Sequence, residues 1–143
     1  MCLSDNSDRE PFVDCLRIGN MYLGGTRSDI EAIAGIDSFE ADGQTVHVLA
    51  EAEDGLLLTY LVVAYDESDN AISLQLTGEA NSVWDFSSIR LGDTEASVRE
   101  KFGDPFDIID VPEIGGVVWR YGAHPFSIEI VEARVYSVRV FFP

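Results

Sequence analysis

The stretch Leu91 to Pro105 reads LGDTEASVREKFGDP and repeats, without a gap, an earlier stretch, Leu23 to Gly35, which reads LGGTRSDIEAIAG. In each copy a threonine is placed to cap a helix, because its side-chain oxygen can accept from a backbone N–H group of the first turn. A glycine ends each copy, since glycine enters the left-handed region without a Cβ clash. Capping does not explain the Leu-Gly pair in front of both threonines. The sequence therefore predicts a tandem duplication with one short helix in each half.

Strand-like segments follow each predicted helix. After the first helix and a loop, IDSFEADGQ, alternation and apolar runs predict strands at Thr45 to Glu53, Leu56 to Tyr65 and Ala71 to Thr77. After the second helix they predict strands at Gly116 to Tyr121, Phe126 to Val131 and Arg134 to Phe142, with Asp107 to Val111 as an extra edge strand.

These elements predict an α+β fold made of two tandem helix-plus-β-meander repeats. Residues 1–11 form a flexible acidic N-terminus, 12–78 the first repeat and 79–143 the second, within one compact unit. A sheet with an apolar face must bury it, and the two helices are the layer available. We expect an antiparallel sheet of about six strands with both helices on one face and the other face open.

Charge is the unusual feature of the composition. Nine Lys and Arg stand against 26 Asp and Glu, which gives a net charge of −17. This balance repels phosphate backbones, so nucleic-acid binding is not expected, and it favours a basic partner.

The sequence has no apolar run of membrane-spanning length and no signal peptide at its start. A cytoplasmic protein is the simplest interpretation. If Met1 replaces a removed signal, Cys2 followed by SDNSD is typical of a lipidated cysteine, and the protein would be a periplasmic or outer-membrane lipoprotein. Cys2 and Cys15 are too few for a disulfide scaffold or a zinc site; they could form a disulfide or remain two thiols.

The motifs of common catalytic sites do not occur in this sequence, and no cofactor or metal is expected. The two histidines, His47 and His124, fall in non-equivalent places of the two repeats. The segment Asp66-x-Ser68-x-Asn70 lacks the glycine and the distal glutamate of an EF-hand calcium loop. We therefore predict that the protein is not an enzyme.

Trp119 and Tyr121 share one side of their predicted strand. Either they pack in the core against Val98 and Phe102, or they face outward, where aromatic side chains are natural hot spots of a protein interface. Trp119 is kept as a protein-binding candidate on the second alternative.

The doubled pattern of Leu-Gly-x-Thr opening a short helix, a glycine stop and a β-meander resembles the β-lactamase-inhibitor-protein fold. It is also similar to the small outer-membrane lipoproteins of the SmpA/OmlA, or BamE-like, type; IRLGDTEASVREKFGDP, VVWRY and ARVYSVRV are the closer stretches. The resemblance implies a non-catalytic binder that grips its partner with the open sheet face and a hairpin loop. On that face it implies His47, Ser73, Gln75, Ser137, Arg139 and Phe141, and in the hairpin Asp66, Glu67 and Asp69.

Three functional hypotheses follow. The first is an acidic inhibitor or immunity protein that blocks a basic enzyme or toxin, because negative charge accelerates encounter with a cationic site. The second is an envelope lipoprotein that assists outer-membrane protein assembly. The third is a small enzyme or ligand-binding protein, which would need a deep pocket beside His47 or His124.

Overall fold

The two repeated stretches form eight-residue helices, α1 at Arg27–Ala34 and α2 at Glu95–Phe102, in a computed structural model that describes residues 16–51, 53–54, 57–79, 83–122 and 124–142. The predicted caps are confirmed. Thr26 Oγ1 accepts from the backbone N–H of Asp29 at 3.1 Å, and Asp29 accepts in return from the backbone N–H of Thr26 at 3.3 Å. Thr94 Oγ1 accepts from the backbone N–H of Ser97 at 3.2 Å. Because these bonds are local, the sequence was sufficient to place both helix starts.

Twelve strands and one three-residue 3-10 helix, Pro112–Ile114, are the other described elements. A hairpin whose two strands have two residues each precedes each helix. The first pairs β1 (Arg17–Ile18) with β2 (Met21–Tyr22), and the second pairs β7 (Asp85–Phe86) with β8 (Ile89–Arg90). The remaining strands are β3 (Ser38–Ala41), β4 (Gln44–Glu51), β5 (Leu57–Tyr65), β6 (Ala71–Gly78), β9 (Asp107–Val111), β10 (Gly116–Arg120), β11 (Phe126–Val131) and β12 (Arg134–Phe141). They form one antiparallel sheet in the order β3-β4-β5-β6-β12-β11-β10-β9.

The predicted α+β class with about six strands is therefore wrong. The fold is mostly β, with two short helices against a sheet of eight strands. Turn-forming Asp and Gly residues favoured a loop at 36–44, but Ser38–Ala41 pairs with β4 as an edge strand. Each half also begins with a short hairpin and contributes four strands to the sheet. The prediction of two repeats, each a helix followed by a three-strand meander, is therefore wrong as well.

Corresponding hydrogen bonds fasten the start of each half to that half's last strand. The N–H of Gly24 donates to the carbonyl oxygen of Ala71 at 2.8 Å, and the N–H of Gly92 donates to that of Val135 at 2.9 Å. The two sets of four strands then join where β6 pairs with β12. Each helix is thereby held beside its own four strands.

Both helices pack on the same side of the sheet, which we call the helix face. Four buried side chains lie next to one another on this face, because β5, β6, β12 and β11 pair in that order. We call them the buried row: Leu61, Leu76, Val138 and Ile128. Ile30 of α1 and Val98 and Phe102 of α2 join them in one apolar core. The alternate positions of the same strands point to the other side, the open face, on which neither α-helix packs.

Candidate binding site on the open sheet face

One row of paired residues crosses all eight strands on the open face, and we call it the central row. It consists, from β3 to β9, of Phe39, Val46, Val62, Gln75, Arg139, Ser127, Arg120 and Asp107. Directly paired residues of antiparallel strands have Cβ atoms about 5 Å apart, so neighbours along this row lie side by side. The row offers a continuous surface made by both halves of the chain.

The central row has an apolar end and a charged end. At the apolar end Phe39 remains 46% exposed and Val62 is half-buried, with the buried Val46 between them. At the charged end Arg120 and Arg139 are exposed, and the guanidinium carbon of Arg139 lies 5.1 Å from the centre of the Phe141 ring. Gln75 separates the two ends, so the face can hold an apolar group and an anionic group at once.

A polar cluster occupies the neighbouring positions at the middle of the open face. The Ser137 hydroxyl donates to Glu129 Oε1 at 2.5 Å, and the side-chain amide of Gln75 donates to Ser137 Oγ at 3.3 Å and to Glu129 Oε1 at 3.5 Å. Beside it, burial raises the pKa of Tyr60, and a hydrogen bond with Tyr136 raises it further. These groups satisfy one another, so the cluster is a fixed polar centre for the face rather than a reactive group.

The acidic hairpin between β5 and β6 contains two carboxylates that make hydrogen bonds within the protein and one that does not. Asp66 Oδ1 accepts from the backbone N–H groups of Ser68 and Asn70, both at 2.9 Å, so it holds the turn. Asp69 Oδ1 accepts from Arg27 Nη2 at 3.4 Å. Glu67 is exposed and has no partner among the described residues. Of the three predicted hairpin residues, Glu67 alone is therefore free to meet another molecule.

Eight of the predicted site residues lie on the open face or in the hairpin: Ser73, Gln75, Ser137, Arg139, Phe141, Asp66, Glu67 and Asp69. Two of them, Ser73 at 6% exposed and Ser137 at 1% exposed, are buried, so they are not available for direct contact with a partner. His47 and Trp119 do not join them. His47 is 0% exposed and Trp119 is 2% exposed, and both lie on the helix face. The pairing of His47 with Leu61 and of Trp119 with Ile128 puts them in the buried row, so neither can contact a partner on the open face.

His47 is held in its neutral form by its surroundings. Its Nε2 lies 2.8 Å from the hydroxyl of Tyr65, whose pKa burial raises to about 12. Its Nδ1 has no hydrogen-bond partner in the part of the chain that the structure describes. Burial lowers the pKa of His47 below its ordinary value of 6.5, although the nearby carboxylates of Glu31 and Glu40 act in the opposite direction. Protonation would require an acceptor at Nδ1 that the described core lacks.

We expect the free energy of unfolding to fall as the pH is lowered from about 7 to about 5, because below about pH 6.5 the unfolded chain binds a proton at His47 that the folded chain refuses. The variant His47→Gln keeps an amide near Tyr65 but cannot titrate, so its unfolding free energy should depend less on pH over this range. Denaturant unfolding at a series of pH values measures the slope, with His124→Gln as the control that keeps it. An unchanged slope in His47→Gln would contradict this assignment.

The sequence interpretation did not select Arg120, Ser127, Glu129, Tyr60 or Tyr136 as site residues. Strand pairing brings Arg120, Ser127, Glu129 and Tyr60 together on the open face. Tyr136 lies at the register shift between β11 and β12, and it joins them through its hydrogen bond with Tyr60. The available signal was alternation: in a strand where Trp119 and Tyr121 share one side, Arg120 must lie on the other, but which side is covered depends on the distant helices.

Within the described residues, no group of three or more histidine, cysteine or carboxylate side chains could hold a metal ion. In the same part of the chain neither helix has the length and apolar composition needed to cross a membrane. Cys2 and Cys15 lie outside the described residues, as does the N-terminus 1–11 that was predicted to be flexible.

No protein-family model and no curated protein sequence matches this chain. Among solved structures it is similar to a DUF4309 family protein (YjgB) from Bacillus subtilis, with a TM-score of 0.57 and 13% identity over 83% of this chain and 79% of that one. A cysteine-rich secretory protein from Staphylococcus aureus matches with a TM-score of 0.48 and 16% identity over 83% of this chain and 44% of that one. At these identities the first likeness concerns the fold alone. Neither is described as a β-lactamase-inhibitor protein or a BamE-like lipoprotein, so that resemblance stays a prediction.

Proposed function

We propose that the protein is a non-catalytic binding module that holds a basic protein partner, an enzyme or a toxin, on its open face and thereby inhibits it. The observation that carries the proposal is the apolar end of the central row. There Phe39 is exposed and Val62 is half-buried, and the buried Val46 lies between them. A few well-packed side chains in an interface supply most of its binding energy when water is excluded around them, and an exposed aromatic ring with an apolar surround suits that role.

Charge supports a basic partner. The chain carries −17, and two acidic turns lie at one end of the strands that bear the apolar end of the row. Asp42 lies in the turn between β3 and β4, and Glu67 in the turn between β5 and β6; the pairing of Thr45 with Val63 puts both turns at the same end of the sheet. Carboxylates at the rim of an apolar patch mainly raise the rate of encounter with a cationic protein.

Capture from the native host with the tagged chain identifies the partner, and a partner with no basic surface, or no partner, would count against the proposal. With the purified partner, Glu67→Lys should lower the association rate constant by roughly threefold or more at low salt and by less at high salt, because ions screen exposed charges. Surface plasmon resonance or stopped-flow fluorescence at two ionic strengths measures this.

Glu113→Lys is the matched control for that experiment. It makes the same change in net charge, but Glu113 is exposed in the 3-10 helix Pro112–Ile114 between β9 and β10, at the opposite end of the sheet. Equal effects of the two reversals would mean that net charge, and not the acidic end of the sheet, guides the partner. Asp66 is unsuitable for charge reversal because its carboxylate holds the turn.

A further inference from the structure

The charged end of the central row forms one wall of a cleft of about 520 Å³. Arg120, Arg139, Ser127, His124, Phe141 and Ile109 are among the residues that line it. The volume falls within the range of pockets that hold small organic ligands. The lining combines cationic and hydroxyl groups with an aromatic and an aliphatic side chain.

Both arginines of the cleft lack a carboxylate partner. Elsewhere Arg27 pairs with Glu40 and Asp69, and Arg99 pairs with Asp104. Across the described residues, by contrast, the guanidinium groups of Arg120 and Arg139 make no hydrogen bond and no ion pair.

Asp107 could have neutralised the site and does not. It is the register partner of Arg120 on the edge strand β9, yet the two side chains form no ion pair among the described residues. In a chain with a net charge of −17, a carboxylate would be expected to approach any available guanidinium group. Two arginines that remain unneutralised in one cleft are therefore a specific feature.

The serine between them completes a set of donors. Ser127 pairs in register with Arg120 on one side and with Arg139 on the other, so the three residues lie on consecutive strands of the same face. Strand spacing puts the Cα atoms of the two arginines about 10 Å apart, a span that two long side chains can close around one group. Ser127 is half-buried; its hydroxyl makes no hydrogen bond within the described chain and can donate one.

We propose that this cleft binds an oxyanion, a phosphate, sulfate or carboxylate group, carried by a small organic molecule. Guanidinium groups donate two parallel hydrogen bonds to such groups, and the Ser127 hydroxyl supplies a further donor between them. Phe141 and Ile109 give an apolar wall for the body of the molecule, and Phe141 also fixes Arg139 through the ring contact at 5.1 Å. This activity goes beyond the proposed protein binding and does not depend on it.

Titration of the full chain with inorganic phosphate, sodium sulfate and sodium acetate, followed by NMR, tests the proposal. At least one anion should cause saturable shifts of the Ser127 amide and of the Arg120 and Arg139 side-chain Nε–H signals. Arg120→Gln and Arg139→Gln should each weaken binding about tenfold or more, because a charge-assisted pair of hydrogen bonds is lost. Arg120→Lys should fall between wild type and Arg120→Gln, since it keeps the charge but not the planar fork.

Lys101→Gln is the matched control: it removes the same charge from an exposed position on α2, outside the cleft, and should leave the affinity within about twofold, as expected of a distant exposed charge. Comparison of the three anions identifies which oxyanion the cleft prefers. The proposal is overturned if none of them shifts these signals at up to about 10 mM, beyond the millimolar range of weak binding, or if Lys101→Gln weakens binding as much as the arginine variants. Because the wild-type titration requires no variant, loss of folding in a variant leaves the test intact.

Discussion

Replacement of Trp119 by alanine is expected to lower the free energy of unfolding by about 3–5 kcal/mol, the usual cost of truncating a buried Trp. Trp119 is 2% exposed and lies beside Ile128 in the buried row of the helix face. The guanidinium carbon of Arg99 lies 4.6 Å from the centre of its ring, so the indole also joins α2 to the sheet. Truncation would leave a cavity and remove that contact, and the melting temperature should fall by an amount of the order of 10 °C.

Phe39→Ala is the control for this result, because it removes another aromatic ring from an exposed position on the edge strand β3. We expect it to change the unfolding free energy by less than about 1 kcal/mol, as surface substitutions usually do. Denaturant unfolding of the three proteins under one set of conditions measures both values. A loss within about 1 kcal/mol for Trp119→Ala, or equal losses for the two variants, would show that Trp119 is not a core residue.

The helices could be predicted because their determinants are local. The threonine caps and the glycine stops form hydrogen bonds within four residues of the chain. In the structure both helices begin and end at the predicted threonines and glycines. Strand number was harder to predict. The edge strand Ser38–Ala41 owes its existence to its partner β4. Aspartates stand directly before and after it, Asp37 and Asp42, and aspartate is typical of a turn.

The candidate surface was partly predictable for a related reason. Alternation shows which residues of a strand share a side, and Ser137, Arg139 and Phe141, which the resemblance implied for one face, do share it. It does not show which side the helices cover. In β4 the resemblance implied His47 on the open face, but Val46 and Val48 lie there, while His47 and Thr45 are buried on the helix face. A hydrogen bond to Tyr65 makes the burial of His47 tolerable, and that partner lies on another strand.

Thiol reactivity at two adjacent positions of β5 tests most directly whether the sheet has a free face for a partner. Val62 is half-buried at the apolar end of the central row, whereas its neighbour Val63 is 0% exposed on the helix face. In a background with Cys2 and Cys15 replaced by serine, Val62→Cys and Val63→Cys are matched, nearly isosteric changes. The rate of modification by a water-soluble thiol reagent is the measurement.

We predict that the thiol at 62 reacts at least about a hundredfold faster than the thiol at 63, because the buried thiol is exposed only when the core opens. The purified partner should protect the thiol at 62. If both thiols are equally protected in the free protein, the face we describe as open is covered, and the proposal that it binds another protein is contradicted.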